Sequence, residues 1–136
     1  MHEIIYLSYG TGIHEQEVIF SILTGMKWMD FEKAKVRVVI YTDHPQSFKN
    51  LPVETRTVTA ERWNEWSGPT RFNHRRKILA LQDALNTSGV PTILLDGDTW
   101  WRCPPPELFA RIGPGRSLMH LWEGKIDRIS SPKMEA

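Results

Sequence analysis

Apolar positions along the chain fall into short runs separated by turn-forming residues. Ile4-Ile5-Tyr6-Leu7 is continuous and closes at Tyr9-Gly10-Thr11-Gly12, the pattern of a buried strand bounded by glycines. From Ile13 to Met29 the period changes. Ile19, Ile22, Leu23 and Met26 recur at i, i+3, i+4 and i+7, which predicts a helix with those side chains on its core face. Gly25 lowers its propensity slightly. Val36 to Tyr41 predicts a second strand, stopped by Thr42-Asp43-His44-Pro45, and Val53 to Val58 alternates with Glu54 and Arg56 as a shorter, half-exposed strand. Ala60 to Gly68 is polar with two tryptophans and fits neither template. Beyond the breaker Gly68-Pro69, Thr70 is the expected cap of a second long helix, Arg71 to Thr87, with His74, Ile78, Leu81 and Leu85 on one face and Ser88-Gly89 at its end. Thr92 to Leu95 predicts a third buried strand, ended by Asp96-Gly97-Asp98. Pro104 to Ile112 predicts a short proline-initiated helix, and Ser117 to Trp122 a last strand. No internal repeat or low-complexity tract interrupts this order.

Strands alternating with helices predict an α/β domain with a mostly parallel sheet and right-handed crossovers, three-layered and Rossmann-like. The three buried runs lack polar alternation, as strands covered on both faces do. In open sheets of this kind ligands bind outside the carboxyl ends of the strands. The chain's least ordinary residues follow those ends: Tyr9-Gly10-Thr11, Thr42-Asp43 and Asp96-Gly97-Asp98. Parallel strands would bring all three groups to one edge.

Composition narrows the picture. The 136 residues are read as one domain, spanning 1–136. Seventeen Lys and Arg against sixteen Asp and Glu leave a net charge of +1, which supplies no general pull toward nucleic acid or an anionic membrane. No apolar run approaches the roughly 20 residues of a membrane span. Glu3 stands where a secretory leader would carry cations, so a cytoplasmic location is expected. Cys103 is the sole cysteine, which excludes an internal disulfide and a thiolate metal cluster.

The Asp96-Gly97-Asp98 segment carries the strongest chemical signal. Two carboxylates one residue apart can reach one hard divalent cation, and Mg²⁺ sites typically use one or two carboxylates with substrate phosphates. Gly97 permits a sharp turn and close approach of a ligand to the backbone. An ordinary Asp-Gly turn is the plain alternative. Trp100 and Trp101 follow directly, and two adjacent tryptophans are expected to pack under or beside a site.

With these residues in order, the chain resembles the donor-binding half of a GT-A-type glycosyltransferase. The opening strand runs into Tyr9-Gly10-Thr11, and Val38-Val39-Ile40-Tyr41-Thr42-Asp43 matches the second strand with its terminal acid. Lys77-Ile78-Leu79-Ala80-Leu81-Gln82-Asp83-Ala84-Leu85 matches the helix before the motif, and Ile93 to Asp98 the motif itself, followed by Thr99-Trp100 and Pro105-Pro106-Glu107-Leu108-Phe109. The likeness covers roughly residues 3–110. It implies a nucleotide-diphosphate sugar as donor, most simply a UDP-sugar, bound through Mn²⁺ or Mg²⁺. It places Tyr9, Gly10, Thr11 and Asp43 at base and ribose, Arg71 and Lys77 at the diphosphate, Asp96 and Gly97 against the donor, and Asp96 and Asp98 on the metal, with Asp98 the more direct ligand.

The resemblance leaves the acceptor and any catalytic base unassigned. His120 and Glu123 are the available candidates, and a lone histidine on a strand is more often structural. The family's acceptor-binding half and late metal ligand have no counterpart in 136 residues, so a truncated or partner-dependent protein, a homo-oligomer included, is expected. Three other readings stay open. Asp96-Gly97-Asp98-Thr99 also fits the nucleophile strand of a haloacid-dehalogenase-type phosphatase, although that class places its motif early and needs acidic ligands downstream. Arg62, Trp63, Trp66, Arg71, Phe72, Arg75, Arg76 and Lys77 interleave cations with aromatics as a single-strand nucleic-acid binder does, but without a basic net charge. A non-catalytic nucleotide-binding remnant would share the fold and lack turnover.

Overall fold

Four parallel strands set the frame in a computed structural model that describes residues 1–113 and 115–118. In chain order the elements are β1 (His2–Ser8), α1 (Ile13–Trp28), β2 (Val36–Thr42), β3 (Glu54–Thr57), α2 (Ala60–Ser67), α3 (His74–Ser88), β4 (Thr92–Leu95) and α4 (Pro106–Phe109), with a 3-10 turn at Pro45–Phe48. The sheet order is β3-β2-β1-β4, and every pair is parallel. This is the expected α/β architecture, with helices on both faces of one sheet. Tyr6 lies between Ile40 and Leu95, and Ser8 opposite Thr42, so the carboxyl ends of β1, β2 and β4 share one edge.

One face of the sheet carries Ile4, Tyr6, Val38 and Ile40. Against them pack Val18 and Ile22 of α1, then Phe31, Phe48, Trp101 and Phe109. The other face carries Ile5, Val39 and Tyr41 under Trp63 and Trp66 of α2 and Ala80 and Ala84 of α3. Burial raises the Tyr6 hydroxyl above its ordinary pKa, opposed by hydrogen bonds with Ser21 at 2.8 Å and from Trp101 Nε1 at 3.3 Å. Glu3, fully buried in β1, is paired in register with Arg37 of β2, whose Nη2 lies 2.6 Å from Glu3 Oε2. A one-residue slip of β1 would strand that carboxylate, so the pair fixes register as well as charge.

The strand expectations hold for β1, β2 and β4, the last with its bounds unchanged; β3 is shorter than Val53 to Val58. The helix expectations need three corrections. The segment that fitted neither template is α2, an eight-residue helix capped by Thr59, whose side chain accepts from the Arg62 N–H at 3.3 Å. The second long helix begins at His74 rather than Arg71, because Arg71 itself adopts φ 52° in the preceding turn and Thr70 caps nothing. The core faces of both long helices are also turned. In α1 the buried residues are Val18, Ser21, Ile22 and Gly25, while Leu23 and Met26 are exposed. Gly25 sits where the Phe31 and Trp101 rings press against the helix, 3.0 and 3.1 Å from where a Cβ would stand. In α3 the buried residues are Ala80 and Ala84, while Ile78 and Leu85 are 64% and 45% exposed. Small side chains let the helices approach the sheet closely, so the largest apolar residues do not mark the contact line. Ser117 and Leu118 are outside any strand, and the rest of the expected last strand, with His120, Trp122 and Glu123, lies outside the described residues.

The turned face of α3 has a direct test. Ala80→Leu should destabilise the protein by about 1–3 kcal/mol through overpacking. Ile78→Ser should stay within about 0.5 kcal/mol, as exposed substitutions do. Urea unfolding of both variants checks this, and a larger loss for Ile78→Ser would restore the apolar face read from the sequence.

Candidate functional site

The shared carboxyl edge of β1 and β4 opens into a cleft of about 400 Å³. Leu7 and Tyr9 line it from β1 and the turn after it, and His14, Glu17 and Val18 from the first two turns of α1. Asn73, His74 and Lys77 enter from the start of α3, and Leu94, Leu95, Asp96, Gly97 and Asp98 from β4 and its turn. A larger cavity, about 700 Å³, lies at the opposite edge, where β2 and β3 begin, lined by Met1, Met26, Met29, Phe31 and Glu54 among others. Two of the acids there pair with cations, Asp30 with Lys33 and Glu54 with Arg37 and Arg56. The smaller cleft holds the turn residues at the ligand-binding edge of a parallel sheet, and it is the candidate site.

The Asp96-Gly97-Asp98 turn is shaped from within. Asp96 C=O accepts from the Thr99 N–H at 3.2 Å and the Thr99 hydroxyl at 2.7 Å. Gly97 lies hard against α1: a Cβ there would stand 2.7 Å from Val18 Cγ2. Its glycine character is therefore demanded by the helix it touches. Lys77 reaches across from α3 and places Nζ 2.6 Å from Asp96 Oδ1. Asp98 is exposed and makes no hydrogen bond or ion pair among the described residues. Trp101, two residues beyond Thr99, is buried. Its N–H donates to Thr24 Oγ1 at 3.0 Å, and its carbonyl accepts from Trp28 Nε1 at 3.1 Å. The chain after the turn is thereby pinned to α1, while Trp100 points outward, 62% exposed.

The Tyr9-Gly10-Thr11 turn is held from β2. The Gly10 N–H donates to both Asp43 carboxylate oxygens, at 3.0 and 3.2 Å. Gly10 takes φ 74°, a left-handed conformation that suits glycine. Asp43 thus clamps the first turn to the end of β2. The Tyr9 ring rests under the Arg76 guanidinium at 4.6 Å and beside Trp63 at 5.3 Å. Arg76 is fixed in turn by Trp63 C=O at 3.1 Å and Ser67 Oγ at 2.7 Å. The result is a half-exposed aromatic surface in a fixed position at one end of the cleft.

Of the residues singled out in the sequence, Tyr9, Lys77, Asp96, Gly97 and Asp98 line the cleft. Gly10 and Asp43 meet each other beside it. Thr11 is exposed in the turn, and Arg71 is exposed between α2 and α3; neither lines the cleft. His14, Glu17, Asn73 and His74 line it without having been read as site residues, and His74 had been placed on a core face. His14 Nδ1 lies 3.1 Å from Glu17 Oε2. For His14 and Glu17 the signal was the βα topology, since a helix that follows a strand starts at the sheet's carboxyl edge; Asn73 and His74 start α3, which follows α2, and no such signal marked them.

Two carboxylates one residue apart, one beside an ammonium and one without a partner among the described residues, suit a divalent cation whose remaining ligands come from phosphate and water. Among the described residues no three His, Cys, Asp or Glu side chains converge on one point. No family model, curated protein or solved structure matches the chain in comparison. The tight packing at Gly97 predicts that Gly97→Ala destabilises by roughly 1–3 kcal/mol. Val18→Ala in the same chain should recover part of that loss, a coupling readable from urea midpoints of the double-mutant cycle. Additive losses would mean that the turn does not rest on α1.

Proposed function

We propose that this domain binds a nucleotide-diphosphate sugar, most simply a UDP-sugar, through Mn²⁺ or Mg²⁺, in the manner of the donor half of a GT-A-type glycosyltransferase. The observation that carries this reading is the meeting of Asp96, Asp98 and Lys77 in one cleft at the carboxyl edge of the parallel sheet, with Tyr9 at its other side. Asp96 and Asp98 would hold the cation, which when bound would neutralise charge on a leaving diphosphate. The Lys77 ammonium can donate charge-assisted hydrogen bonds to phosphate oxygens. Tyr9, backed by Arg76 and Trp63, offers a surface on which a base can stack. Asp43 acts through Gly10, holding the turn that presents Tyr9, rather than reaching a base or ribose itself. Thr11 and Arg71 carry no part in this version of the site. The acceptor is unassigned, and its pocket would come from outside the described residues or from another chain.

The phosphatase reading draws less support. It needs its motif on an early strand with further acidic ligands downstream, whereas Asp96 follows the fourth strand, at the sheet edge. The two readings part in one experiment. UDP should raise the melting temperature only when Mn²⁺ or Mg²⁺ is present, by mass action on the folded state. Asp98→Ala should abolish the shift. No stabilisation by any nucleotide with either metal, or hydrolysis of a generic phosphomonoester that Asp96→Asn abolishes, would replace the transferase reading.

A further inference from the structure

We propose that the Lys77–Asp96 ion pair is a latch across the cleft, which makes the binding of a divalent cation and of a diphosphate mutually dependent. The inference rests on the donor-site reading above and concerns how that site fills. Lys77 projects from the first turn of α3 and closes on Asp96 Oδ1 at 2.6 Å, spanning the cleft from helix to strand end. In this contact the ammonium that would meet phosphate is engaged by a carboxylate that would meet the cation. Asp98, one residue past Gly97, has no such partner among the described residues.

A cation arriving alone competes with the ammonium for Asp96. A diphosphate arriving alone meets a neutralised lysine and the exposed Asp98 carboxylate, which repels it. When both arrive, one ion pair is exchanged for two: Lys77 passes to phosphate, and Asp96 joins Asp98 on the cation. Each ligand thus does for the other what it cannot do for itself, and the coupling is reciprocal because both affinities are linked through the same contact. Lys77 and Asp96 are 34% and 51% exposed, so solvent weakens the pair. Its release should therefore be worth about two- to fivefold in affinity.

The test uses Mn²⁺ and UDP as separate probes. Free Mn²⁺ is counted by electron paramagnetic resonance, and UDP binding is measured by calorimetry. Lys77→Met keeps the aliphatic stem and removes the charge. It should bind Mn²⁺ alone about two- to fivefold more tightly than the wild type, and UDP in the presence of Mn²⁺ about tenfold more weakly, the loss of one charge-assisted contact. Asp96→Asn frees the lysine and should bind UDP alone about two- to fivefold more tightly, while Mn²⁺ binding falls. Melting temperatures without ligand confirm that both variants fold, and either variant alone suffices if the other does not. Metal-dependent UDP binding by the wild type, with Mn²⁺-alone affinity unchanged or lowered in Lys77→Met, or UDP-alone affinity unchanged or lowered in Asp96→Asn, overturns the latch and leaves the donor site standing. No binding of Mn²⁺ or UDP to the wild type overturns both.

Discussion

The register of β1 between β2 and β4 is the constraint on which the rest of the molecule depends. Parallel pairing on both sides carries the ends of three strands to one edge, so that residues more than eighty positions apart in sequence border one cleft. The Glu3–Arg37 pair is part of what holds that register. A carboxylate buried at the start of β1 finds its cation only in the observed alignment, and a slip would also turn the apolar side chains of β1 to the wrong faces.

From that edge the cleft is assembled by contacts that leave little freedom. Asp43 ties the turn after β1 to β2 through the Gly10 N–H. Arg76 and Trp63 hold the Tyr9 ring. Gly97 lets α1 come down on the turn after β4, and Trp101 pins the next segment to Thr24 and Trp28. The polar groups at the cleft's mouth are exposed or half-buried: Lys77, Asp96, Asp98, and the His14–Glu17 pair. A packed frame with solvent-reached charges at its mouth is the arrangement expected of a site that exchanges internal ion pairs for contacts with a charged ligand.

Much of this was legible in the sequence, and the parts that were not have physical reasons. The runs Ile4–Leu7, Val36–Tyr41 and Thr92–Leu95 announce themselves because strands covered on two faces must be continuously apolar. Their order alone, in a parallel sheet, carries Tyr9, Asp43 and Asp96 to one edge. The helix faces were misread because close packing rewards Ala80, Ala84 and Gly25 over Ile78, Leu85 and Leu23, and small residues carry little weight in an apolar pattern. The helix α2 was hidden because its burial rests on two tryptophans, Trp63 and Trp66, amid polar neighbours. Asp43 could be located but not given its partner, since its bond to Gly10 exists only through the pairing of β1 with β2. The Lys77–Asp96 contact depends on the rotation of α3, which the sequence pattern placed wrongly.

The central claim is that the carboxyl edge of the sheet, and not the larger cavity at the other edge, takes a metal with a nucleoside diphosphate. Paramagnetic broadening by Mn²⁺ in the presence of UDP tests this residue by residue in the amide spectrum. The expected result is loss of signal from His14, Lys77, Gly97 and Asp98, with Glu32, Val36 and Glu54 unaffected. Broadening centred on Asp30 and Glu32, or none at either edge, would contradict it.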